Sequence, residues 1–217
     1  MFQSGEYNRE TSEENIRKYK DALKTNPKDE QAHCEIGLAY HFQGKLDDAI
    51  RELREAIKLN PKYAAAHFNL GCVYNTQGDV RKATEEFSEA IKFDPNEWIF
   101  HRALGGLYGA QGKIEEAIGE LKDAIRINPN EFEQHDLLGY CYATKGMLDE
   151  AIRELKEAIR INPNNSQTHY NLGQIYGPQG KLDEAIKEFT EALRINPNDA
   201  NARHDLELAY SLQQKKR

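Results

Sequence analysis

The chain is poor in the residues from which most small-molecule and metal sites are built. Its 217 residues hold 3 cysteines (Cys34, Cys72 and Cys141), 2 methionines and 1 tryptophan, Trp98. An odd, scattered set of cysteines makes no disulfide framework. No apolar run approaches the length of a membrane span, and the opening MFQSGEYNRE has no apolar core behind a basic start. Neither a transmembrane segment nor a secretory leader is expected. Basic charge is also in deficit: 29 Lys+Arg against 36 Asp+Glu leave a net charge of -7, and the mean hydropathy is -0.82. A phosphate backbone calls for a basic stripe, so nucleic-acid binding is not expected. Lys215, Lys216 and Arg217 read as a solvated basic tail. The expectation is a reduced, cytoplasmic protein that does not insert into membranes.

Catalytic signatures are missing as well. There is no glycine-rich phosphate loop, no His-Glu-x-x-His and no serine in a nucleophile elbow. No enzyme activity and no cofactor are expected.

What is present is a period. Slid by 34 residues, the chain repeats Gly37, Gly71, Gly105, Gly139 and Gly173, then Gly44, Gly78, Gly112, Gly146 and Gly180. Tyr40, Tyr74, Tyr108, Tyr142 and Tyr176 keep the step, as do two columns of alanine that begin at Ala49 and Ala56. Six of the 7 prolines fall in register, from Pro27 to Pro197. A fixed period of this length means stacked helical units. Five full units follow, residues 30–63, 64–97, 98–131, 132–165 and 166–199. Before them stand a polar N-terminal tail (1–11) and a half repeat (12–29), with a helix start read at Thr11, Ser12 and Glu14. Residues 200–217 form a terminal capping helix with the basic tail.

With each unit numbered from 1, the first helix carries an inward stripe at places 4, 7, 8 and 11. Glycine at place 15 ends it in a left-handed conformation. The second helix runs at i, i+3, i+4, i+7, as in Leu46, Ala49, Ile50 and Leu53, with acids in its first turn and a base in its last. Mid-helix glycine at place 8 costs about 1 kcal/mol against alanine. Close approach of the second helix through its alanines is the expected compensation. Glu207 takes that place in the last helix, where no second helix follows.

These places resemble the tetratricopeptide repeat (TPR) family over about residues 12–214. Its pattern of Leu at place 7, Gly or Ala at 8, Tyr at 11, Ala at 20 and 27, a large residue at 24 and Pro at 32 is met here. Place 7 is Ile36, Leu70, Leu104, Leu138 and Leu172; place 24 is Leu53, Phe87, Leu121, Leu155 and Phe189. The resemblance implies an all-α solenoid, a right-handed superhelix of helix pairs whose concave face binds a partner protein or peptide. By the same resemblance, places 2, 5, 6, 9, 12 and 13 line that face. The candidate groove is then Leu38, Phe42, Phe68, Cys72, Asn75, Ile99 and Arg102, with Asp136, Tyr140, Tyr170, Asn171 and Gln174 on the later units. The first half reads as apolar and the second as wetter. The carboxylate clamp of some family members needs lysines and asparagines in a set order. The first frame here offers Cys34, Leu38, Asn69, Ile99 and Ala103, and no frame supplies the clamp.

Other patterns weigh less. His33, His67, His101, His135 and His169 form a column at place 4. A metal ladder would need nitrogens that nearly touch, whereas packed helices stand ~8–10 Å apart. Buried, hydrogen-bonded rings are the expectation, and protonating them should weaken the stack. Cys34 and Cys72 read as small groove residues rather than a regulatory pair. Asn164-Asn165-Ser166 fits a glycosylation sequon in a turn and is discounted. Gly177-Pro178 should shorten or kink the fifth first helix. The alternative to partner binding is a homo-oligomer assembled end to end through the half repeat and the terminal helix.

Overall fold

The computed structural model describes residues 9–216. Residues 1–8 of the expected polar tail and Arg217 at the end of the basic tail lie outside the described residues, while residues 9–11 of that tail belong to a helix. Among the described residues there are twelve helices and no strand. They are α1 (Arg9–Thr25), α2 (Glu30–Phe42), α3 (Leu46–Leu59), α4 (Ala64–Thr76), α5 (Val80–Phe93), α6 (Trp98–Ala110), α7 (Ile114–Ile127), α8 (Phe132–Thr144), α9 (Leu148–Ile161), α10 (Ser166–Tyr176), α11 (Leu182–Ile195) and α12 (Ala200–Lys216). The first helices α2, α4, α6, α8, α10 and α12 begin 34 residues apart. α1 is already helical at Arg9, so Thr11 and Ser12 lie inside its first turn instead of capping it, and Ser12 is fully buried.

Two turn types alternate along the chain. After each first helix comes a glycine with positive φ: Gly44, Gly78, Gly112, Gly146 and Gly180 at 71° to 78°. That left-handed residue is cheap only without a Cβ. It lets Lys45 N–H reach back to the Tyr40 carbonyl at 2.9 Å, satisfying a terminal acceptor. After each second helix comes Asn-Pro or Asp-Pro. The Asn60 side chain accepts from Lys62 N–H at 3.2 Å, and the same two-residue turn recurs at Asp94, Asn128, Asn162 and Asn196.

The chain forms two compact units, one ending at Leu104 and the other beginning at Gly105, inside α6. In the first, α2 packs on α3 and α4 on α5, and Ala49, Ala56, Ala83 and Ala90 are wholly buried. A Cβ added to Gly37 would fall 2.6 Å from Cγ of Leu53 and 3.2 Å from the Ala49 carbonyl. The glycine at place 8 thus makes room chiefly for the large residue at place 24, where the alanines alone had been expected to gain from it. In the second unit the core gathers Leu121, Leu138, Leu155, Leu172 and Phe189 beside Ala117, Ala151 and Ala185. A Cβ added to Gly139 would fall 2.8 Å from Leu155 Cγ, and one added to Gly173 would fall 2.5 Å from Phe189 Cε1. α10 has eleven residues where α8 has thirteen: it ends at Tyr176, with Gly177 as its cap and Pro178 next. No helix among the described residues is long and apolar enough to cross a membrane.

Candidate functional site

The first helices carry the candidate face. In the first unit the structure sorts the expected residues into floor and surface. Leu38 and Phe68 are buried; Phe68 stacks 4.8 Å from the Phe100 ring and 5.5 Å from Phe87, making an aromatic floor. Cys72, Ile99 and Arg102 are half-buried, Asn75 is exposed, and Phe42 stands out at 52% exposure. The Arg102 guanidinium lies 5.5 Å over the Trp98 ring, a cation–π contact, and its Nε is buried with no hydrogen-bond partner.

Burial keeps the two cysteines of this unit protonated. Cys34 Sγ accepts from Asn69 Nδ2 at 3.3 Å, and burial pushes its thiol up to about 12. Burial likewise pushes Cys72 up to about 12, against the pull of Arg102. All three cysteines are free.

In the second unit the face is polar and joined by hydrogen bonds. Tyr170 donates its hydroxyl to Asp205 Oδ2 at 3.1 Å. Gln174 Nε2 donates to the Tyr170 hydroxyl at 2.6 Å and to Asp205 at 3.4 Å. Gln167 Nε2 donates to Asn171 Oδ1 at 2.9 Å. Asp136 is half-buried; desolvation raises its carboxyl above the usual range, opposed by donors on Thr168 and Asn171, and Glu133 adds to the rise. Its Oδ1 is buried without a partner. Tyr140 is 57% exposed. Asp205 is a face residue that the sequence reading did not single out; its signal was place 6 of α12, one step past the last full unit.

Four histidines of the column are buried and His33 is half-buried; at His67, His135 and His169 the chemistry is the reverse of the expected one. His67 Nδ1 lies 2.7 Å from Glu86 Oε2, and Nε2 lies 3.1 Å from the Pro61 carbonyl. His135 repeats this with Glu154 and Pro129, and His169 with Glu188 and Pro163. A carbonyl only accepts, so Nε2 donates. The ring then donates at both nitrogens when it is protonated. Burial opposes protonation of His67 and His135, but the carboxylate and carbonyl outweigh it, so both rings bind protons more readily than free imidazole. At His169 the Glu188 bond leads and the shift is again upward. Protonation therefore strengthens these contacts. The glutamates at place 23 form a column in the sequence from Glu52 to Glu188, but the period alone does not show that they reach the histidines. Among the described residues no three His, Cys, Asp or Glu side chains converge as metal ligands.

Three family models match the chain. A "TPR repeat" model matches residues 41–78 and 139–180, and two "Tetratricopeptide repeat" models match residues 166–199 and 70–132. Together they span well over half of the sequence. Among solved structures, the chain is similar to YrrB, described as a TPR protein with an unusual peptide-binding site. The identity is 23% over 86% of this chain and 96% of that one, with a TM-score of 0.74. It is similar to MamA at 27% identity over 76% of this chain and 96% of that one, with a TM-score of 0.71. To TTC0263, a thermophilic TPR protein in Thermus thermophilus, it is 28% identical over 83% and 98% of the respective chains, with a TM-score of 0.62. No curated protein matches the sequence.

Proposed function

The chain belongs to the tetratricopeptide repeat family, and on that premise we propose that it is a non-enzymatic adaptor holding a peptide or helix of a partner protein on the faces of its first helices. Proteins of this fold serve in general as protein–protein interaction modules, and the chain's own residues support that use. One observation carries the reading. Of the six large apolar side chains left exposed among the described residues, five stand on first helices: Phe42, Tyr140, Leu208, Tyr210 and Leu212. The second helices present ion pairs instead, such as Arg51 with Asp48 and Arg160 with Glu157. Exposed aromatics beside a cation are what binding hot spots use. In the first unit Phe42, Asn75, Ile99 and Arg102 would meet the partner over a floor of Leu38 and Phe68; in the second, Asp136, Tyr140, Tyr170, Asn171 and Gln174 would. The positions of a carboxylate clamp are filled by other residues, so recognition of a free chain end is not part of this reading. The test is calorimetry with a purified partner after Phe42→Ala and Tyr140→Ala. Each should weaken binding at least tenfold with unchanged melting, and unchanged affinity would remove the face from the account.

A second reading, end-to-end assembly of copies, is favoured by Leu208, Tyr210 and Leu212 lying open on α12. The residues that seal each internal helix pair oppose it. Glycine at place 8 gives way to Glu207, and histidine at place 4 to Arg203, which takes the Pro197 carbonyl at 2.6 Å. Glutamate at place 23 gives way to Lys18 in α1. An α12–α1 pair would set Arg203 against Lys18 where internal pairs set His against Glu. Light scattering at high concentration should find a monomer.

A further inference from the structure

Two hollows in the second unit are the same hollow two repeats apart. One, of about 290 Å³, lies between α6 and α8 over Gly105, Gly109 and Leu121, with Leu137 and Tyr140 as its wall. The other, of about 460 Å³, lies between α10 and α12 over Gly173, Gly177 and Phe189, with Asp205 and Leu208 as its wall. Each residue of the first pairs with one of the second at a step of 68, twice the repeat. Both open where place 12 is glycine. The other first helices carry His41, Asn75, Ala143 and Ser211 there.

Packing does not demand Gly109. A Cβ on Gly105 would fall 2.8 Å from Leu121 Cγ, but one on Gly109 meets Cys141 Sγ only at 3.7 Å, an ordinary contact. Its φ is not positive, so the backbone does not demand glycine either. A mid-helix glycine costs about 1 kcal/mol, and here the space it leaves is the only visible return.

The charged group in the hollows' own lining is Asp205, in the wall of the second. At the face places of α8, α10 and α12 the described residues add Glu133, Asp136 and one exposed histidine, His204, with no lysine or arginine, while α6 carries Arg102. Asp136 Oδ1 lacks a partner, and Asp205, at the edge of the second hollow, accepts from Tyr170 and Gln174.

We propose that the two hollows anchor one basic peptide: a large aliphatic or aromatic side chain enters each, and lysine or arginine between them meets Asp136 and Asp205. This rests on the adaptor reading and adds the partner's chemistry to it. The hollows lie two helix steps apart, about 16–20 Å at 8–10 Å per step. An extended peptide covers that in roughly five or six residues at 3.3 Å each.

The probe is a labelled octapeptide with two leucines six positions apart and lysines between, titrated against the full chain by fluorescence anisotropy. Two controls replace the lysines with glutamates or remove one leucine. The lysine peptide with both leucines should bind at least tenfold more tightly than either control, and the margin over the glutamate peptide should shrink as salt is raised. Gly109→Leu, which fills the first hollow, should bring binding down to the one-leucine level with unchanged helicity; Gly109→Ala, a smaller filling, should give part of the loss should the leucine variant misfold. Equal binding of the glutamate peptide overturns the inference. So does full binding by Gly109→Leu, and if Phe42→Ala then abolishes binding, the adaptor reading survives without the hollows. No binding by any of the three peptides also overturns it, while crosslinking from Phe42 and Tyr140 decides the adaptor reading separately.

Discussion

A methyl group on Gly71 would lie 2.6 Å from Cδ1 of Phe87, a ring only 2% exposed. At Gly109 the same methyl would find its nearest neighbour at 3.7 Å. Both glycines sit inside first helices, but only one is there because its partner needs the room. Alanine adds about 1 kcal/mol of helix propensity at either site, whereas forcing a group into a packed core costs about 1–3 kcal/mol. Gly71→Ala should therefore lower the urea midpoint and Gly109→Ala should hold or raise it. Equal shifts in the two variants would contradict this division of the glycines.

The histidine–glutamate contacts set a pH dependence. His67, His135 and His169 hold their protons more tightly folded than unfolded. Their stabilisation is complete below the unfolded value of about 6.5 and is lost as pH rises through the folded value. The urea midpoint should fall between pH 6 and pH 8.5. Glu86→Gln, Glu154→Gln and Glu188→Gln together should flatten that dependence and lower stability at pH 6, by about 1–3 kcal/mol for each charged hydrogen bond weakened. A midpoint that rises over this range would show that the rings are held neutral.

The thiols make a third prediction. With Cys34 and Cys72 pushed up to about 12 by burial, their thiolate fraction at pH 8 is on the order of one in ten thousand, and the thiolate is the reactive form. A chromogenic disulfide reagent should label these two only after unfolding. Rapid labelling of either in the folded chain would contradict the burial described here.

Phe42 and Phe68 divide in the same way. Phe68→Ala should cost about 3–5 kcal/mol, as for other large-to-small core changes. Phe42→Ala, at an exposed site, should fall within about 0.5 kcal/mol of the parent. Chemical denaturation of the two variants checks both.

Why one was readable and the other not is physical. A 34-residue period tells which places face inward along a helix, and it placed the turn glycines, the buried alanines and the large residue at place 24. It does not tell how far a long side chain reaches. Glu86 bends back to His67 across 19 residues of sequence, so a glutamate on a charged face became half of a buried pair. Phe68 holds a face position by register, but Phe100 and Phe87 beside it form a ring cluster that draws it inward. Such choices depend on which side chains meet, and a repeat pattern averages over them. Room in the third unit is legible at Gly106 and Gly109, but the matching hollow at Gly177 is not, since glycine at place 12 is a departure from the pattern.

The central claim, that partners meet the first helices, is tested most directly by site-specific photocrosslinking. A benzophenone side chain is placed at Phe42, at Tyr140 and, on a second helix, at the exposed Arg153, and each adduct is identified by mass spectrometry. The account predicts that Phe42 and Tyr140 capture the same partner and that Arg153 captures none. Adducts from Arg153 with none from Phe42 or Tyr140 would contradict it.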